Sequence, residues 1–260
     1  MLLDAKSAVV TGAGSGVGRA TALRFAQEGA QVVCADISPE RVEETALLVE
    51  KAGGAAVAVR ADVTAEREVV AMLEAAVANF GRLDIVFNNV GIPTPRFGTL
   101  LEEHSVADFD RLTAVNLRGV FLGCKHAVLR FKEQGGGGVI LNTGSVAGLV
   151  GWGGSVYGAT KGGVHQLTRA VAIEGAPFGI RANAICPAGM PHTNFFAAGG
   201  LGADAAVPSE EMVRQAGAQH PLGQPITAED CAAAAVYLVS DSAANVTGVL
   251  LPVDGGYVAR

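Results

Sequence analysis

The sequence predicts an α/β fold: one doubly wound domain, with about seven parallel strands in a single sheet and helices on both faces. Three observations predict it. Short β-branched runs alternate with longer stretches whose apolar residues recur at i, i+3 and i+4, which reads as strand–helix–strand units. Half of the 260 residues are apolar and only 5% are aromatic, so the core is built from Val, Leu, Ile and Ala, as buried parallel strands require. A glycine-rich stretch follows the first run and opens the first helical pattern. Right-handed crossovers then place helices on both faces. No internal repeat or linker marks a second unit, so residues 1–260 read as one domain.

The elements follow in order. The first strand is Ala8–Thr11, and Ala20, Leu23 and Ala26 mark the helix after the glycines. The second strand, Gln31–Ala35, precedes Ser38-Pro39-Glu40, an N-cap followed by Pro at the first helical position. The third is Ala55–Arg60, before a helix opening at Thr64-Ala65-Glu66 and carrying Val69, Met72, Leu73 and Ala76. Leu83–Asn88 is the fourth. A long helical run, Asp108–Lys132, and a glycine turn lead to the fifth, Gly138–Thr143. A helix over 155–172 precedes the sixth, Arg181–Cys186. Thr227-Ala228-Glu229-Asp230 starts the last helix with a capping-box pattern, and Val249–Val253 is the seventh strand. Gly29 and Gly53-Gly54 close helices. Between Pro187 and Pro225 there is no strand pattern; a stretch of that length in a compact domain is a lid, here about 188–225.

Composition excludes several functions. The net charge is −6 and no basic run occurs, which argues against nucleic acid or an anionic membrane as partner. Cys34, Cys124, Cys186 and Cys231 lie far apart with no paired spacing, so no metal site is expected and a reducing compartment fits. No apolar run approaches the roughly 20 residues that span a bilayer, and Asp4 interrupts the first residues, so cytoplasm is the expected location.

The loop Thr11–Gly18 holds the first candidate site. Its glycines allow positive φ and let bare backbone approach a pyrophosphate at a helix N-terminus. Gly12, Ser15, Gly16, Val17 and Gly18 are the expected contacts. The fold is therefore Rossmann-type. Asp36, about 20 residues beyond the glycines, ends the second strand with Ile37 beside it. Its carboxylate accepts from adenosine ribose hydroxyls and repels a 2′-phosphate. No Arg or Lys occupies 13–17 or 37–38, so the cofactor is expected to be NAD.

Tyr157 and Lys161 lie four apart on one helix face. A phenol ordinarily titrates near 10, too high for a base at neutral pH, and a cation within about 4–6 Å lowers an acid's pKa by ~1–3 units. Lys161 is expected to be that cation. Ser145 ends the fifth strand, where its hydroxyl can steady charge on a substrate oxygen. Asn116 is a poor interior residue for the helix that contains it.

These motifs in this order resemble the short-chain dehydrogenase/reductase family: the Thr11–Gly18 loop, Asp62-Val63, Asn88-Asn89-Val90-Gly91, Asn116, Ser145, Tyr157-x-x-x-Lys161, the Pro187 region and Val253-Asp254-Gly255-Gly256. The resemblance spans almost the whole chain. It implies that Asp62 and Val63 flank the adenine and that Asn89 and Gly91 line the adenosine ribose. It further implies that Pro187, Gly189, Met190 and Thr193 meet the nicotinamide end, and that Lys161, with Tyr157, holds the nicotinamide ribose. Asn116 would kink its helix and hold a water linked to Lys161. Tyr157 would move the proton between solvent and an alcohol or carbonyl substrate. A homotetramer joined through the helices of Asn116 and Tyr157 and the C-terminal segment is implied, with Val164, Leu167 and Val171 serving either core or interface.

Three departures stand out. Ser145 is twelve residues before Tyr157 rather than thirteen, which reads as a one-residue deletion within 149–156, with Ser155 as the substitute hydroxyl if Ser145 is displaced. Val90 replaces the usual Ala. Ala188 intervenes between Pro187 and Gly189. Ile92, Pro93, Gly148–Trp152 and the lid should surround the substrate; Trp152, Phe195 and Phe196 either favour an apolar, cyclic one or pack the loops onto the sheet or another subunit, and His192 and His220 are either substrate contacts or solvated loop residues. The expected activity is NAD-dependent hydride transfer between nicotinamide and a secondary alcohol or its ketone. Alternatives are reduction of a 3-oxoacyl thioester or an imine, and a non-catalytic NAD-binding redox sensor.

Overall fold

The computed structural model describes residues 1–95, 98–190, 195 and 210–260. Seven strands form one parallel sheet: β1 (Ser7–Thr11), β2 (Gln31–Asp36), β3 (Ala55–Arg60), β4 (Ile85–Asn88), β5 (Gly138–Thr143), β6 (Ile180–Pro187) and β7 (Leu250–Val253). Their order is β3-β2-β1-β4-β5-β6-β7. Val10 pairs with Cys34 on one side and Phe87 on the other, so β1 is central and fully buried.

Side chains alternate across the sheet and supply two cores. Val10, Cys34, Phe87, Leu141 and Ile185 face α1 (Gly16–Gln27), α2 (Pro39–Lys51) and a C-terminal helix (Ala228–Val239). Val9, Val33, Val86, Ile140 and Ala182 face α3 (Glu66–Phe80), a helix over Gly119–Gln134 and one over Ser155–Gly175. In chain order these last three join α4 (Val106–Thr113) and a helix over Glu210–Ala218, giving α5 (119–134), α6 (155–175), α7 (210–218) and α8 (228–239).

The predicted caps hold at Ser38, whose Oγ accepts from the Arg41 N–H, and at Thr227, which exchanges bonds with Asp230. Thr64 differs: α3 begins at Glu66 with Ala65 as its cap, because the Thr64 N–H and hydroxyl both go to Asp62 Oδ1 (2.9 and 2.8 Å). The run 108–132 is also interrupted. A five-residue π turn, Ala114–Arg118, separates α4 from α5 and places Asn116 at its centre. The stretch read as irregular between 187 and 225 carries α7. Val164 and Val171 belong to the core, with Leu167 packed against it.

A buried polar chain locks β4, β5 and α6 together. Asn88 Nδ2 donates to Asn142 Oδ1 (2.9 Å), Asn142 Nδ2 to Thr168 Oγ1 (2.9 Å), and Thr168 Oγ1 to the Val164 carbonyl (2.8 Å). These buried amides and hydroxyl satisfy one another, as burial demands. The chain fixes α6, and so Tyr157, against the ends of the strands.

Candidate active site

The carboxyl ends of the strands open into a cavity of about 760 Å³. It lies where the strand order reverses between β1 and β4, the crevice where such sheets take ligands. Asp36, Ile37, Asp62 and Val63 line it beyond β2 and β3; Ser145, Tyr157 and Lys161 line it beyond β5.

The glycine loop presents backbone. Gly12 (φ +67°) and Gly16 (φ +51°) sit in the left-handed region and line the cavity with Ser15 and Val17. Ser15 makes no side-chain cap, so the first-turn N–H groups of α1 have no side-chain partner at the cap. Gly18 does not line the cavity. It lets α1 press onto the loop, since a Cβ there would collide with the Gly12 carbonyl. Asp36 is held still: its Oδ2 accepts the Gly14 N–H and its Oδ1 the Ser38 N–H, both at 3.0 Å. Asp62 is tied to Thr64. Asn89 donates through Nδ2 to the Thr11 carbonyl (3.0 Å), and its Oδ1 accepts from Thr143 Oγ1 (3.0 Å).

The shorter Ser145–Tyr157 spacing still brings the two together. Ser145 caps a 3-10 turn (Val146–Gly148), accepting the Ala147 N–H at 3.1 Å, and is a hydrogen-bond partner of the Tyr157 phenol. Between them, the loop 149–154 turns with Gly153 and Gly154 at positive φ. Ser155 is exposed at the start of α6, away from the cavity.

Lys161 is 2% exposed, and its Nζ donates to the Thr143 carbonyl at 2.7 Å. It lies 5.8 Å from the centre of the Tyr157 ring. The electrostatics differ from the expectation that Lys161 lowers the phenol. Burial pushes Tyr157 up to about 12, opposed by the Ser145 hydrogen bond, and Lys161 is not among the causes. Burial also brings the Lys161 amine down to about 8. Desolvation outweighs charge here because both groups are out of water.

Asn116 is fully buried and does not line the cavity. Its Oδ1 accepts the Ile92 N–H (2.8 Å) and its Nδ2 donates to the Ile92 carbonyl (2.9 Å). It thus clamps the β4–α4 connection. A Cβ on Gly91 would stand 3.4 Å from Lys161 Nζ and 3.5 Å from Asn116 Oδ1, ordinary contact distances, so the three are neighbours.

Pro187, Gly189 and Met190 line the cavity. Thr193, His192 and Phe196 lie outside the described residues, as do lid residues 191–194 and 196–209 as a whole. Ile92, Pro93 and Trp152 line it as expected, and Gly148–Gly151 do not. Phe195 meets Tyr157 edge-on at 5.8 Å.

Sequence reading missed several residues. Thr143 joins Lys161 to Asn89, and its place at the end of β5 was a usable signal. Arg41 lines the cavity beside Asp36, from the first turn of α2. Tyr257 and Arg111 line it without a sequence signal. Behind Ser145, His165 Nε2 accepts the Ser145 N–H at 3.3 Å and lies 3.3 Å from Cys186 Sγ. Burial takes this imidazole down to about 4.

Comparison with known proteins gives consistent results. A family model described as enoyl-(acyl carrier protein) reductase matches residues 12–258. Cis-4-hydroxycyclohexanecarboxylate dehydrogenase of Sinomonas cyclohexanicum is 43% identical over 97% of this chain and 96% of its own. 3beta-Hydroxysteroid dehydrogenase 1 of Eggerthella lenta is 41% identical over 98% and 94%. The crystal structure of levodione reductase superposes with a TM-score of 0.90 at 36% identity, covering 99% of both chains.

Proposed function

The chain belongs to the short-chain dehydrogenase/reductase family of oxidoreductases, whose cofactor is NAD(H) or NADP(H), and we propose that it uses NAD(H) to interconvert a ring secondary alcohol and its ketone. The observation that carries this reading is one cavity with a pinned Asp36 beyond β2 and the Ser145–Tyr157–Lys161 group beyond β5. The residues fit a dinucleotide: glycines at positive φ bring bare backbone to the cavity, and an immobilised carboxylate waits at the ribose position.

Gly12, Ser15, Gly16 and Val17 would hold the pyrophosphate and Asp36 with Ile37 the adenosine ribose. Asp62 and Val63 would flank the adenine. Asn89, Gly91, Pro187, Gly189 and Met190 would continue the site toward the nicotinamide, with Lys161 and Tyr157 on its ribose. When bound, the cofactor supplies hydride transfer. Ser145 orients the substrate oxygen. Tyr157 gives its proton to a carbonyl oxygen, or takes one from an alcohol. Lys161, held by the Thr143 carbonyl, stands beside the Tyr157 ring at the ribose end, and Asn116 positions the backbone that lines this corner. The phenol holds its proton at neutral pH and is the donor to a carbonyl there.

The ring preference rests on the apolar wall of Ile92, Trp152 and Phe195, and on relatives named for a hydroxycyclohexane carboxylate and a hydroxysteroid. We place the protein in a reducing cytoplasm, since its four cysteines are buried free thiols. We also propose one domain and a homotetramer joined through α5 and α6. The test is nicotinamide absorbance with NAD⁺ and NADP⁺ over acyclic and cyclic secondary alcohols, with Tyr157→Phe beside wild type. Turnover with NAD⁺ that falls at least about a thousandfold in the variant is expected. Equal turnover in Tyr157→Phe, or NADP⁺ used better than NAD⁺, contradicts the reading.

A further inference from the structure

One wall of the cavity has no role in the chemistry above. It consists of three rings. Trp152 and Tyr257 meet edge-to-face with centroids 6.0 Å apart, and Tyr257 and His220 do the same at 6.0 Å. All three line the cavity. His220 lies between α7 and α8, is 5% exposed, and packs against Gly255.

The orientation of its ring is fixed. His220 Nδ1 lies 2.8 Å from the Asp254 carbonyl oxygen. A carbonyl can only accept, so Nδ1 carries the hydrogen. The carbonyl is itself held, because the Asp254 carboxylate accepts the Gly256 and Val258 N–H groups, each at 2.9 Å. In the neutral tautomer so defined, Nε2 is a lone-pair acceptor. Nε2 has no hydrogen-bond partner among the described residues. It is not sealed either, unlike Nδ1 of His165, which is buried without a partner. His220 therefore offers the cavity one immobile acceptor.

We propose that His220 is a specificity-determining residue, whose Nε2 accepts a hydrogen bond from a second hydroxyl on a ring substrate while Tyr157 and Ser145 handle the first. This rests on the proposed activity toward ring alcohols. A rigid acceptor in a largely apolar site rejects a ligand that leaves it unpaired more strongly than it rejects a small change of shape. The Trp152 and Tyr257 rings give the ring skeleton an angled apolar corner, and the acceptor reads its far substituent.

The test uses matched substrates: cyclohexanol, cyclohexane-1,3-diol and cyclohexane-1,4-diol as cis and trans isomers, and the mono-methyl ether of each diol. The ether keeps the size and removes one O–H. With wild type and NAD⁺, kcat/KM for at least one diol should exceed that of its ether about tenfold, beyond the twofold that two equivalent hydroxyls give. The ratio should fall to that statistical factor in His220→Phe, mainly through KM, and recover in part in His220→Gln, which keeps an acceptor. NADH binding and thermal melting on each variant separate this effect from lost folding. If His220→Phe does not fold, the wild-type ratios and His220→Gln decide. Equal kcat/KM for every diol and its ether in an enzyme that oxidises cyclohexanol overturns the inference and leaves the proposed function standing, and so does a ratio that survives in His220→Phe. No turnover of any ring alcohol removes both.

Discussion

Burial outweighs the hydrogen bond to Ser145 and pushes the Tyr157 phenol from 10 up to about 12, so it holds its proton well above neutral pH. The sign of the pH dependence follows. Oxidation needs the phenolate, whose population grows as pH rises toward about 12, so kcat/KM for alcohol should climb from pH 6 to 10. Ketone reduction needs the phenol and should stay level up to about pH 8, where the Lys161 amine starts to lose its charge. A flat oxidation profile would show that another group takes the proton. Ser145→Ala should lower kcat by roughly 10²–10³ with NADH affinity kept, as removal of one preorganised donor does. An unchanged kcat would show that the shortened loop has moved this role elsewhere. His165 makes a separate prediction on stability. Its folded pKa of about 4 lies below the ordinary 6.5, so between those values the unfolded chain binds a proton that the folded chain does not. Stability should therefore be full above pH 6.5 and fall as pH drops to 4, by on the order of 3 kcal/mol. His165→Leu should flatten that limb of the urea midpoint profile while lowering stability at neutral pH, since the buried Ser145 N–H loses its acceptor.

At the scale of elements, the loop after β1 works because α1 presses on it. In Gly18→Ala the new Cβ meets the Gly12 carbonyl, so the loop must shift or the helix retreat. A cost of about 1–3 kcal/mol and a weakened NADH complex are expected from melting and fluorescence titration, and a variant with wild-type affinity would separate this glycine from the binding surface. The loop was legible because its signal is local: a β-branched run, then glycines, then a helix. Tyr157 and Lys161 were legible for the same reason, four residues apart on one helix. The break around Asn116 was legible as a kink through the family resemblance, but its form, a π turn with Asn116 paired to the Ile92 backbone 24 residues away, was not. Thr64 looked like a cap and instead serves Asp62, two residues back. The wall of Trp152, His220 and Tyr257 was the least visible. It joins the β5–α6 loop, the α7–α8 connection and the C-terminal turn, and no sequence period links these.

For the whole molecule, the question is what covers the helices on the second face. The core accounts for Val164 and Val171, but it leaves Phe121 and Leu129 on α5 and Ile173 on α6 exposed, the last at 76%. Phe121 and Leu129 stand eight residues apart, on one face of the helix. Large apolar side chains grouped this way mark a contact surface more often than a solvated one. A closed assembly of four copies through these helices would bury them twice over and hold α6, which carries Tyr157 and Lys161, against a neighbour. Light scattering should then give about four times the 26.3 kDa chain mass. Leu129→Glu with Ile173→Glu should yield a smaller species with a lower melting temperature and reduced activity, because α6 loses its outer support. A double variant that stays tetrameric would place the interface elsewhere. A wild-type monomer with full activity would show that the buried polar chain from Asn88 to Val164 is enough to fix α6 by itself.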